Sequence, residues 1–186
     1  MIRRDVSLWR AAQQPALEND MTNKQNFTSD EWTKILESVA LSAVAVTAAD
    51  PSGLMGLLKE SFASANATIS AKADPGASEL VKSVVTDFET TEGRTRIREA
   101  LKSRLAGANQ ANVSQRAVEA LSEVSALLDS KAPTEAAAFK TWLRTISSKV
   151  ADAASEGGTL GFGGVRVSAK EKATLNDIAK ALGIAA

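Results

Sequence analysis

Apolar residues recur along this chain at three- and four-residue intervals, which places them on one face of an α-helix, and no stretch alternates with period two for more than a few residues. The first such run is Trp32, Ile35, Leu36, Val39, Ala43 and Val46. It is preceded by Thr28-Ser-Asp-Glu31, in which the threonine oxygen accepts from an orphan backbone N–H and the glutamate reaches back to the N–H of Thr28. Phe27 and Trp32 are spaced as a hydrophobic staple across that start. The helix is expected to end near Ala48, because Asp50-Pro51-Ser52-Gly53 supplies turn residues and proline disfavours a helical residue before it. A second helix from about Ser52, carrying Met55, Leu58, Phe62, Ala65 and Ile69, would complete an antiparallel hairpin.

Asp74-Pro75-Gly76 breaks the chain again, and Leu80, Val81, Val84, Val85 and Phe88 mark a third helix. Thr90 to Gly93 is a break or a kink. Beyond it a fourth helix turns Ile97, Leu101 and Leu105 inward and ends near Gly107. A fifth uses Val113, Ala117, Leu121, Val124 and Leu128. The sixth follows Ala132-Pro133 with Thr134 as N-cap and shows Phe139, Trp142, Leu143, Ile146, Val150 and Ala153 before Gly157. A last helix from about Ala169 to Leu182 opens on the Ser168/Glu171 pair, turns Leu175, Ile178, Ala179 and Leu182 inward, and closes on Gly183 in the left-handed conformation. The pattern therefore predicts an all-α fold: a single compact domain of about seven antiparallel helices, with a glycine-rich loop before the last. Residues 27–186 form that domain. Residues 1–26 read as an N-terminal tail of different texture, with Met21 as a candidate native start. Within the tail, Ile2, Val6 and Trp9 lie beside Arg3, Arg4 and Arg10, a pattern that also suits a membrane surface.

The glycine-rich loop is the most distinctive stretch. Glycines at 157, 158, 161, 163 and 164 surround Leu160 and Phe162, and Gly161 to Val167 is the one candidate for extended structure. Either these two side chains plug the core, with glycine supplying the sharp turns, or the loop docks a partner through Leu160, Phe162, Val165 and Arg166. A phosphate cradle is the third use. It lacks both G-x-G-x-x-G after a strand and G-x-x-x-x-G-K-[ST].

Composition narrows the chemistry. A chain of 186 residues can bury one adequate core, roughly 70% of its unfolded surface, without a staple. It contains no cysteine, histidine or tyrosine, which removes disulfides, thiolate metal sites, the usual general base and the Ser-His-Asp arrangement. Lys+Arg and Asp+Glu both number 22, so no global field gathers nucleic acid or anionic lipid. No apolar run approaches the roughly 20 residues that span a bilayer, and no secretory core is present near the start, so a cytoplasmic protein is expected.

Two local constellations remain. Arg94, Arg96, Arg98, Lys102 and Arg104 form the densest like-charge run, and Arg94, Arg98 and Lys102 fall one turn apart on a single face, suited to phosphate. Asp87, Glu89, Glu92 and Glu99 interleave with or precede them, and no aromatic residue is placed among them for base stacking, so a solvated face laced with ion pairs is the main reading. Carboxylates near turns, Asp50 and Glu60 above all, could hold a divalent cation or support hydrolysis, although no D-x-[DN]-x-[DN]-G spacing is present. No cofactor is expected.

The stretch from Val165 to Ile184 resembles the end of a TerB-like (tellurite-resistance-associated) helical domain, through Val167-Ser168, Glu171 and Ala181-Leu182-Gly183. The first hairpin, with SVALSAVAVTAAD ending at Asp50, is also similar to that family's opening helix and acidic turn. Gly164-Val165 stands where that family has Asp-Gly, and Pro51 follows Asp50 where glycine is expected, so the acidic metal-holding positions are matched only in part. The resemblance implies an all-helical fold and a scaffolding or stress-related role without catalytic residues. Together these readings lead to a non-enzymatic protein that acts through an unidentified protein partner, with self-association open to it. The alternatives are a carboxylate-based metal binder or hydrolase, and a nucleic-acid phosphate binder.

Overall fold

Thr28 starts the first helix through the reciprocal pair its sequence predicts. The Glu31 N–H donates to Thr28 Oγ1 at 3.2 Å and the Thr28 N–H to Glu31 Oε2 at 2.8 Å. Phe27 and Trp32 close over that start with ring centroids 6.0 Å apart. In the computed structural model, which describes residues 23–49, 76–109, 111–155 and 167–185, a short 3₁₀ turn at Lys24–Asn26 precedes six α-helices. They are α1 (Ser29–Thr47), α2 (Glu79–Glu89), α3 (Thr91–Arg104), α4 (Val113–Lys131), α5 (Pro133–Ser155) and α6 (Ala169–Leu182). The described residues contain no strand.

The count among the described residues is thus six where seven were expected. The expected second helix, from Ser52 through Ile69, lies outside them, as do residues 1–22 and the glycine-rich segment up to Arg166. Val167, at the end of that segment, is half-buried and packs against the core. Two helix ends also differ. Helix α5 begins at Pro133, one residue before Thr134, because a proline at the first helical position forgoes only an N–H that would have no partner anyway. Helix α3 stops at Arg104, and Gly107 completes the exit turn with φ of 68°.

Helix α1 is the axis of the fold. Over half of its 19 residues are buried, and it packs against each of the other five helices, most extensively against α4 and α5. Small side chains let the backbones approach: Ser38 and Ser42 are fully buried, and Ser147 Oγ on α5 donates to the Ser42 carbonyl at 3.0 Å. Around it, Leu80, Val84, Leu121, Leu128, Phe139, Leu143, Ile146, Ile178 and Leu182 join Trp32, Ile35, Leu36 and Leu41 in one continuous core. Helix α6 begins with the predicted Ser168/Glu171 box and ends at Gly183, whose φ of 67° is the left-handed cap.

The α2–α3 corner is tightly built. Thr90 caps both helices: its hydroxyl donates to the Asp87 carbonyl at 2.8 Å and accepts from the Gly93 N–H at 2.8 Å. Arg94 then reaches back across the corner, donating from Nη1 to the Glu89 carbonyl at 2.7 Å and to the Phe88 carbonyl at 3.3 Å. Those are α2's orphan C-terminal acceptors, and a guanidinium is suited to them.

Candidate functional site on helix α3

Helix α3 buries only a narrow stripe, Gly93 and Ile97, with Leu101 half-buried beside it. It carries five cations, Arg94, Arg96, Arg98, Lys102 and Arg104, against the carboxylates of Glu92 and Glu99. It is therefore strongly cationic within a chain of zero net charge.

The fold divides these five cations by their position around the helix. Arg96 and Arg104 turn toward α1. Arg96 donates to Ser29 Oγ at 2.8 Å and pairs with Glu92 at 3.0 Å. Arg104 donates from Nε to Glu37 Oε1 and lies 3.5 Å from Glu123 of α4, so one guanidinium ties three helices together. Glu37 is only 3% exposed. Burial pushes its carboxyl above the usual glutamate range, and the Arg104 charge works against that rise.

Arg94, Arg98 and Lys102 face the other way and are exposed. Arg94 spends its guanidinium on the α2 carbonyls. Arg98 and Lys102 make no hydrogen bond or ion pair among the described residues. Beside this stripe, where the start of α1 meets the first half of α3, Ser29, Thr91, Glu92, Thr95, Arg96 and Glu99 line a shallow recess of about 570 Å³. It offers hydroxyls and both signs of charge, with no large apolar wall.

The structure thus keeps Arg94, Arg98 and Lys102 together on one open face, at the spacing the sequence predicts. Leu160, Phe162, Val165 and Arg166 lie outside the described residues, and so do Asp50 and Glu60. Among the described residues no group of three or more potential ligand side chains is gathered for a metal ion. No described helix is long and apolar enough to cross a membrane.

Several polar contacts that tie the segments together were not foreseen from the sequence. Asp87 Oδ2 accepts from the Trp32 indole at 2.6 Å and from Lys24 at 2.9 Å. Glu135 on α5 accepts from the Leu80 N–H at 2.6 Å, taking up an orphan donor at the start of α2. Lys140, 5% exposed, reaches Asp129 at 2.6 Å. A signal for Glu37 was present: it lies between Leu36 and Ser38 and one turn before Leu41, in a row that is otherwise apolar or small. No protein-family description, curated protein or solved structure matches the chain.

Proposed function

We propose that this chain is a non-enzymatic protein that works by contact with a protein partner, a cytoplasmic scaffold of the TerB-like kind. The observation that supports this best is how the described polar side chains of the interior are used. Glu37, Asp87, Glu135, Lys140 and Ser147 each join one segment of the fold to another, by an ion pair or by a hydrogen bond to a backbone group or an indole. Interior polarity spent this way fixes a unique arrangement of helices, and a rigid arrangement is what a contact surface needs. The glycine-rich segment, with Leu160, Phe162, Val165 and Arg166, is the proposed contact: large apolar side chains set among glycines suit a loop carried on a fixed scaffold.

The test is affinity purification of the chain from its native cell, repeated with Leu160→Ser/Phe162→Ser. A co-purifying protein that is lost in the variant, with the melting temperature unchanged, is the expected result. A collapse of stability in the variant would make these side chains core and remove the proposed contact. Turnover of a metabolite by the purified chain, abolished by replacing one acidic side chain without unfolding, would overturn the reading altogether.

A further inference from the structure

We infer that the outer face of α3 docks an acidic segment of a partner protein, with Arg94, Arg98 and Lys102 meeting carboxylates spaced about one helical turn apart. This rests on the contact reading above and adds a second surface to it, distinct from the glycine-rich segment.

The bundle uses the five cations of α3 unequally. If the run served only to hold the helix down, its charges would be satisfied by the bundle. Three are used: Arg96 and Arg104 find Ser29, Glu92, Glu37 and Glu123, and Arg94 donates to the neutral carbonyls of Phe88 and Glu89 without being neutralised. Arg98 and Lys102 are left on the solvent side, in one row with the still-charged Arg94. Residues four apart in a helix have Cβ atoms about 5–6 Å from each other, so the row presents positive charge at each of three successive turns. Other exposed cations divide: Lys24, Lys34 and Lys131 are answered by Asp87, Glu123 and Glu31, while Lys149, Lys170 and Lys172 stand singly among the described residues, so what sets α3 apart is the alignment of its cations in one row. The row is also held rigidly. Arg94 is fastened to the end of α2, and α3 is pinned at its start by the Thr90 cap and at its end by Arg104. With the helix backbone fixed, only the Arg98 and Lys102 side chains have to be ordered when a ligand arrives.

The neighbouring charges select the kind of anion. Glu92 and Glu99 are exposed on the same helix and line the recess beside the row, so a uniform phosphate backbone laid along α3 would meet two carboxylates. Helix α3 contains no aromatic residue on which a base could stack. A protein segment can answer both signs, placing carboxylates on the cationic row and a lysine, arginine or hydroxyl toward Glu92, Glu99 and the hydroxyls of Thr91 and Thr95. A second copy of this chain has no matching row among its described residues. The nearest is Glu119 and Glu123 on α4, where Glu123 already pairs with Arg104 and Lys34.

The full chain is titrated with a short poly-glutamate peptide and, separately, with oligo(dT), at low and at physiological salt. The same is done with Arg98→Glu/Lys102→Glu, and with Lys149→Glu/Lys172→Glu, which makes the same change in net charge at exposed lysines of α5 and α6. Circular dichroism and the melting temperature establish that each variant is folded, and sedimentation reports its oligomeric state. We expect poly-glutamate binding that weakens about tenfold in the α3 variant and is nearly unchanged in the control. Four results would overturn the inference: no poly-glutamate binding, equal loss in both variants, tighter binding of oligo(dT), or a dimer that dissociates when α3 is reversed. A native partner that co-purifies equally well with the α3 variant would also overturn it, while leaving the contact reading intact.

Discussion

Trp32 and Trp142 show how far the worth of a side chain depends on one polar atom. Trp32 is 1% exposed, stacks near Phe27, and donates its indole N–H to Asp87 at 2.6 Å. Trp142 lies edge-on to Phe139 at 5.3 Å, and its Nε1 is buried without an acceptor among the described residues. Replacing Trp32 with Phe removes ring volume and leaves Asp87 short of a donor, and should cost about 1–3 kcal/mol. Trp142→Phe removes a donor that has no partner, so its loss should be clearly smaller. Urea unfolding with unchanged m-values separates the two, and equal losses would show that the indole nitrogen of Trp32 does little. That both tryptophans face their helix's apolar side was legible from spacing. That one has a partner was not, because Asp87 lies 55 residues further along.

At the scale of elements, the α2–α3 corner turns on Gly93. Glycine inside a helix ordinarily weakens it by about 1 kcal/mol relative to alanine, so Gly→Ala is usually a stabilising change. Here a Cβ would stand 2.0 Å from the Asp87 carbonyl oxygen and 2.7 Å from its carbon, both backbone atoms that cannot step aside. Gly93→Ala should therefore destabilise by roughly 1–3 kcal/mol through overpacking, and a gain in the urea midpoint would refute the close approach. Helix starts and stops of local origin were readable: the Thr28 and Ser168 boxes and the left-handed Gly183 each involve residues within a few positions. A break at Thr90 was readable too, although the next helix already begins at Thr91 and not at Gly93 as the spacing suggested. The tightness of that break was not, since that depends on Arg94 and Thr90 closing over the end of α2. The cationic row of α3 was visible as a spacing, but which of its five charges the bundle would claim became clear only once Glu37 and Glu123 were brought beside Arg104.

For the molecule as a whole, two carboxyls should give stability a pH dependence of opposite sign. The Lys131 ammonium and the Thr28 N–H hold Glu31 below the usual glutamate range, while burial raises Glu37. A lowered value means that the Glu31 contribution is complete above the unfolded-state value and fades as pH falls through the folded one. A raised value means that folding favours protonated Glu37, so its ionisation weakens the fold as pH climbs from the unfolded-state value to the folded one. Glu31→Gln should accordingly be less stable than wild type near neutrality, with the gap closing in acid. Glu37→Gln should gain on wild type as pH rises through its window. Unfolding curves collected from acid to neutral pH check both, and variants that drift in the same direction would contradict the assignment.

The position of α1 also bears on how the protein is made. It is the earliest of the described helices to leave the ribosome, yet the surfaces that cover it belong chiefly to α4 and α5, with α6 later still. At ordinary translation speeds those partners follow on the order of ten seconds behind. Throughout that interval Trp32 has Phe27 and then Asp87 beside it, but Ile35, Leu36 and Leu41 still lack the α4 and α5 surfaces, so the nascent chain carries an apolar helix face whose main cover is yet to be made.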